Sequence, residues 1–205
     1  MAYNDFTLND IKRQFHCIID ETTDVFASVG EVEGSPWLQE TLRETLPLAL
    51  AVHTEKSRSE LLITPILVEL RKLARHQVSL FFGIDFSVDP SQGLNGVCDF
   101  IVSQSPEQLF VSAPVLIVVE AKNENIKGGL AQCLAAMVAA RLFNDREGSG
   151  VEAVYGVVTT GTNWRFLKLA SGVVSIDQRE YYIDRVEKIL GILVSIIGVD
   201  CPVLP

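Results

Sequence analysis

The feature that most constrains this chain is Val115-Leu116-Ile117-Val118-Val119, five apolar residues in unbroken succession behind Pro114 and directly ahead of Glu120-Ala121-Lys122. A strand with one face in water alternates apolar and polar residues. One that is apolar at each position is covered on both faces, so this run reads as the central strand of a sheet. Past the polar tip Asn123 to Lys127, the stretch Gly129 to Phe143 is rich in Ala, Leu and Met and suits a crossover helix packed on that sheet. Val78 to Val88 and Val97 to Val102 read as earlier strands, separated by the turn residues Asp89, Pro90, Gly93, Asn95 and Gly96. Ala153 to Thr160 and Trp164 to Leu169 read as later ones, joined at Gly161.

Upstream the period changes. Leu8, Ile11, Phe15 and Ile18 recur at three and four residues, predicting an amphipathic helix with Asp20, Glu21 and Asp24 on or near its solvated side. Pro36 suits the first position of a second helix carrying Leu38, Leu42 and Leu46, which Pro47 is expected to kink or end. A third helix is expected from about Ser57 towards His76, with Thr64-Pro65 either inside it or ending one helix and capping the next. A closing helix covers Tyr182 to Ile197, giving the order ααα, βββ, α, ββ, α. The 205 residues, 48% of them hydrophobic, suffice for one core. Residues 1–54 are expected to form a helical extension packed on a core of residues 55–205.

Composition narrows the function. A net charge of -9 opposes non-specific binding to nucleic acid, which needs Lys and Arg against phosphates. Cys17, Cys98, Cys133 and Cys201 are scattered without a CxxC pair, and His16, His53 and His76 lack ligand-like spacing, so no zinc site is expected and the thiols read as reduced. The apolar stretch Ile189 to Val199 is shorter than the ~20 residues of a membrane helix, and the N-terminus lacks the pattern of a secretory signal. A cytoplasmic protein without membrane contact is the expectation. Arg71, Lys72, Arg75 and His76 read as a solvated helix face, and Trp164 and the Phe81-Phe82 pair as core.

The chemistry sits where charge meets apolar strand. Asp99 lies on one strand; some twenty residues later the buried run ends in Glu120 and Lys122, which share a face because side chains alternate along a strand. Burying such a pair needs a partner or a metal. A hard cation such as Mg²⁺ takes oxygen ligands, here two carboxylates and a backbone carbonyl, with positions left for water and phosphate. Lys122 would then stand beside the attacking water.

Gly96-Val97-Cys98-Asp99 followed by Val118-Val119-Glu120-Ala121-Lys122 resembles the signature of the PD-(D/E)XK, or restriction-endonuclease-like, nuclease superfamily, with Cys98 in place of the proline for which it is named. The resemblance spans about Glu55 to Leu169, with Gly161-Thr162-Asn163-Trp164-Arg165-Phe166 similar to a closing strand of several members. It implies an α/β fold with a mixed central sheet flanked by helices, and an Mg²⁺- or Mn²⁺-dependent phosphodiesterase with DNA as substrate. Asp99, Glu120 and the Ala121 carbonyl are then the metal ligands and Lys122 the catalytic cation, with Glu60 supplied by the preceding helix and Gln132 by the following one. Glu60 has a second reading, as the last residue of a capping box Ser57-Arg58-Ser59-Glu60. Gln132 can equally be a polar residue on a helix surface, and Gly128-Gly129 a helix start. The alternative function is an inactive subunit that keeps the fold and binds a partner, or itself, through the C-terminal apolar helix.

Overall fold

The computed structural model describes residues 2–199. After a 3₁₀ turn at Tyr3–Asp5 come α1 (Leu8–Gln14), β1 (Ile18–Asp20), α2 (Pro36–Val52), α3 (Glu55–Arg58) and, after a wide π turn at Ser59–Ile63, α4 (Thr64–Leu73). There follow β2 (Ser79–Asp85), β3 (Val97–Ser103), β4 (Val115–Ala121), α5 (Ile126–Arg146), β5 (Ala153–Thr159), β6 (Asn163–Ala170), β7 (Val173–Ile176), β8 (Tyr181–Tyr182) and α6 (Val186–Ile197). The strands form one mixed sheet in the order β1-β7-β6-β5-β4-β3-β2, with β8 beside β6. Pairs β4–β5 and β1–β7 are parallel and the rest antiparallel.

Two apolar layers sandwich the sheet. One joins Leu38 and Leu42 of α2, Ile66 and Leu70 of α4, and Ile189, Leu190 and Leu193 of α6 to Phe100, Val119, Val157 and Phe166. The other joins Ile11 of α1 and Leu130, Leu134 and Met137 of α5 to Ile101, Val118, Val154 and Leu167. Every residue of β4 is buried, as its sequence requires of a central strand. Helix α5 is long and apolar enough to cross a bilayer by length and composition, but much of its apolar surface lies against β4 and β5 and the N-terminal turn. Gly156 lets it lie close: a Cβ there would stand 2.4 Å from Met137 Sδ.

Four sequence expectations need correcting. Ile18 does not continue the first helix, which ends at Gln14; His16 takes a left-handed φ of 53° and the chain turns into β1. The short strands β1, β7 and β8 were not anticipated. Helix α2 does not end at Pro47 but continues to Val52, with Pro47 on its exposed side. The helical run also continues across Thr64-Pro65. The carbonyl that Pro65 leaves without a donor belongs to Leu61, and the Thr45 hydroxyl donates to it at 2.7 Å. Finally, α6, read as a candidate partner surface, packs its apolar side within the first layer. Cys201 lies outside the described residues.

Strand β4 is pinned at both ends, which fixes the site. At its start the Asn144 side chain, buried on α5, accepts from the Val115 N–H and donates to its carbonyl, each at 2.8 Å. At its end the Ala121 N–H donates to Asp99 Oδ2 at 2.8 Å and the Lys122 N–H to the Thr159 carbonyl at 2.8 Å.

Candidate functional site

The ladder between β3 and β4 ends with Phe100 opposite Val119, and Asp99 and Glu120 lie one residue beyond it on their strands. Ile101 and Val118 pack in the α5 layer, so alternation along each strand brings both carboxylates to that side of the sheet at the end of β4. Glu120 is 5% exposed. Its Oε1 accepts from Lys122 Nζ at 2.5 Å, and Gln132 of α5 approaches the same ammonium with Oε1 at 3.4 Å. Gly129, three residues before Gln132, makes room for this: a Cβ there would meet Val158 Cγ1 at 2.7 Å and Lys122 Cε at 3.1 Å.

Burial raises the pKa of Glu120 most, and the charge of Asp99 adds to it; the Lys122 hydrogen bond pulls back, leaving the carboxyl at about 7. Asp99 is likewise raised by burial, against the Ala121 N–H and the Lys122 charge. At Lys122 burial favours the neutral amine, but the hydrogen bond and charge of Glu120, with Glu55 and Asp99, outweigh it and leave the pKa above its ordinary value. Burial, with the charges of Glu120, Asp99 and Asp85, pushes the Cys98 thiol up to about 12, so that residue is inert packing.

Glu60 is not brought to this site. Its side chain is exposed and pairs with Lys56 Nζ at 3.2 Å, one turn back. Neither is it a capping residue: the cap belongs to Thr54, whose Oγ1 accepts from the Ser57 N–H at 3.1 Å while Ser57 Oγ accepts from the Thr54 N–H at 3.2 Å. The helical acid that bears on the site is Glu55, whose charge raises both Glu120 and Lys122. Sequence reading passed over it because the helix was begun two residues late.

Arg58 was missed as well. It is 6% exposed, and its guanidinium donates to Asn123 Oδ1 at 3.2 Å and to the Thr160 carbonyl at 3.0 Å. It thereby ties α3, and Glu55 with it, to the ends of β4 and β5. His53 Nε2 reaches Glu124 Oε1 at 2.9 Å on the same loop.

Among the described residues no group of three or more His, Cys, Asp or Glu side chains is gathered around a metal position. Magnesium, however, is commonly held by one or two carboxylates together with substrate phosphate and retained waters. Asp99 Oδ1 and Glu120 Oε2 accept no hydrogen bond from the described residues, and both carboxyls are held above their ordinary pKa chiefly by burial, against the pull of Lys122. Two carboxylate oxygens left free of hydrogen bonds from the described residues are a donor set that suits a hard divalent cation. Compared with family models, with curated proteins and with solved structures, the chain matches none.

Proposed function

We propose that this chain is a divalent-metal-dependent phosphodiesterase acting on DNA, on a restriction-endonuclease-like variant of the mixed sheet described above. The observation that carries the reading is the gathering of Asp99, Glu120 and Lys122 at the end of a buried strand, where the Ala121 N–H holds Asp99, the Asp99 charge bears on Glu120 and the Lys122 ammonium bonds Glu120. Asp99, Glu120 and the Ala121 carbonyl would hold Mg²⁺ or Mn²⁺, which when bound polarises a phosphate oxygen and acidifies a water. Lys122 has its pKa raised, so it acts as a cation that orients the nucleophile and meets charge developing on phosphorus, rather than as a neutral base. Gln132 steadies that ammonium from the helix side, and Glu55 keeps it protonated. The three described cysteines are free thiols, which agrees with the cytoplasmic setting that belongs to this reading.

The deciding experiment pairs calorimetric titration of Mg²⁺ and Mn²⁺ with nicking of supercoiled plasmid. Wild type is expected to bind metal and cut, while Asp99→Ala and Glu120→Ala lose both with the fold intact by circular dichroism. Lys122→Ala should keep metal binding and lose about 10²–10³-fold in rate. Full cleavage by Asp99→Ala would falsify the assignment. The net charge of -9 favours a second reading, a non-catalytic subunit, in which wild type neither binds metal nor cuts.

A further inference from the structure

Phe82 was expected in the core, yet it is 48% exposed on β2, the edge strand of the sheet. Trp37 at the start of α2 is also 48% exposed, whereas the chain's other tryptophan, Trp164, is fully buried. Both exposed rings line one groove of about 670 Å³ together with Val68, Arg71, Lys72 and His76. Aromatic surface left in water beside cations departs from the basic helix face anticipated for this segment.

Charge makes the groove specific. In a chain of net charge -9, three basic side chains line it and no carboxylate does. Arg71 Nη1 donates to His76 Nδ1 at 2.7 Å and Arg71 Nε to the Val78 carbonyl at 3.2 Å, so the guanidinium is held in place without an acidic partner. The imidazole, accepting on Nδ1, carries its proton on Nε2 as a further donor. Lys72 comes within 3.9 Å of Glu69, but that carboxylate is 1% exposed and its two oxygens are engaged by Ser35, so Lys72 remains half in solvent. At Leu80 the outer edge of β2 is already answered, because the Gln108 amide accepts from the Leu80 N–H and donates to its carbonyl in the manner of a neighbouring strand. What the groove offers is ring faces and point charges. That combination is how single-stranded nucleic acid is held without sequence preference: bases on aromatic side chains, phosphates on Lys and Arg.

We propose that this groove binds a short segment of single-stranded DNA, with bases stacked on Trp37 and Phe82 and phosphates on Arg71 and Lys72. The site is separate from Asp99 and Glu120. Phe82 packs edge-on against Phe100 at 5.5 Å, on the α2–α4 side of the sheet, while the carboxylates face α5. Binding here is therefore independent of the phosphodiesterase reading.

The structure supplies its own reporter, since Trp37 is the tryptophan open to a ligand. An oligothymidylate of about ten nucleotides, titrated into the full chain without divalent metal, is expected to quench its emission saturably. Binding should fall with salt at a log–log slope of about −1.5 to −2, as contact with two to three phosphates of a single strand requires. Phe82→Ala should weaken it about tenfold, a loss typical of one stacked base, and Lys72→Ala should weaken it and flatten the salt slope by about 0.7, the share of one phosphate. Phe82→Leu keeps the apolar volume, folds as wild type does and should weaken binding similarly. Asp99→Ala should leave it unchanged, which separates this site from the proposed catalytic one. Absence of quenching, indifference to both Phe82 variants, or equal binding of a polyglutamate peptide would each overturn the proposal, the last in favour of an acidic protein partner.

Discussion

Glu69 and Glu120 are both carboxylates removed from solvent, and they keep very different company. Glu69 accepts the Ser35 N–H on one oxygen and the Ser35 hydroxyl on the other, each at 2.8 Å, and so fixes the start of α2 against α4. Glu120 has one oxygen on Lys122, another without a hydrogen bond, and the Asp99 charge bearing on it. The first has every lone-pair direction that matters answered by the backbone and side chain of one residue, which is what a structural acid looks like. The second stands beside a like charge at the edge of what burial tolerates, which is how a group is kept ready for something that arrives later.

Substitution breaks or sustains that contrast most directly. Glu69→Ala should destabilise the fold by about 2 kcal/mol, since it removes the buried carboxylate that both part-buried donors of Ser35 bond. Glu120→Gln at pH 8 should cost nothing and stabilise slightly, by relieving Asp99. Urea unfolding measures both; equal losses would erase the distinction.

Comparable in size is pH dependence in the metal-free protein. The Glu120 pKa is raised from 4.5 to about 7 on folding, so between these values the unfolded chain has released a proton that the folded one retains. Stability should therefore fall as pH rises across that window, by on the order of 2–3 kcal/mol, and level off above it. Asp99, also raised, contributes with the same sign, while Lys122 and Glu55 are the other charges acting on Glu120. The slope should largely vanish in Glu120→Gln, and a wild-type curve that instead rose with pH would contradict the site's electrostatics.

Metal should act in the opposite sense, because it favours the ionised carboxylates. At pH 8, roughly 10 mM Mg²⁺ should add about 1 kcal/mol, a Tm shift of a few degrees, and nothing in Asp99→Ala. The smallest effect is expected at Thr54→Ala. Loss of the cap costs about 1 kcal/mol and frays the turn that presents Glu55, so plasmid nicking should fall while the response to Glu69 substitutions is unaffected.

Most of what surrounds the site was legible in the residues. A strand apolar on both faces, a charged pair at its end and an alanine-rich helix behind it are local signals, and Asp99, Glu120, Lys122 and Gln132 do meet. What was illegible depends on partners remote in sequence. Residues 18–20 become a strand only because β7 offers an edge, and two to four residues carry no period of their own. Pro65 stays inside a helix because Thr45 lends a hydroxyl, and Phe82 faces water because β2 has no outer neighbour. Glu60 stands in the wide turn Ser59–Ile63 and pairs in solvent with Lys56, while Glu55, at the start of the helix before it, acts on the site.

The pairing of β1 with β7 carries a consequence for the order of events during synthesis. Ile18 leaves the ribosome early but has no partner until Val173 follows, and the contact is parallel, so no hairpin can form it locally. The inner strands from β2 to β6 are free to assemble beforehand through shorter loops. Closing the far edge of the sheet is thus expected to be a late step: in a nascent chain stalled before β7, Ile11 and the N-terminal turn can already pack on α5, while residues 18–20 still lack the strand they pair with.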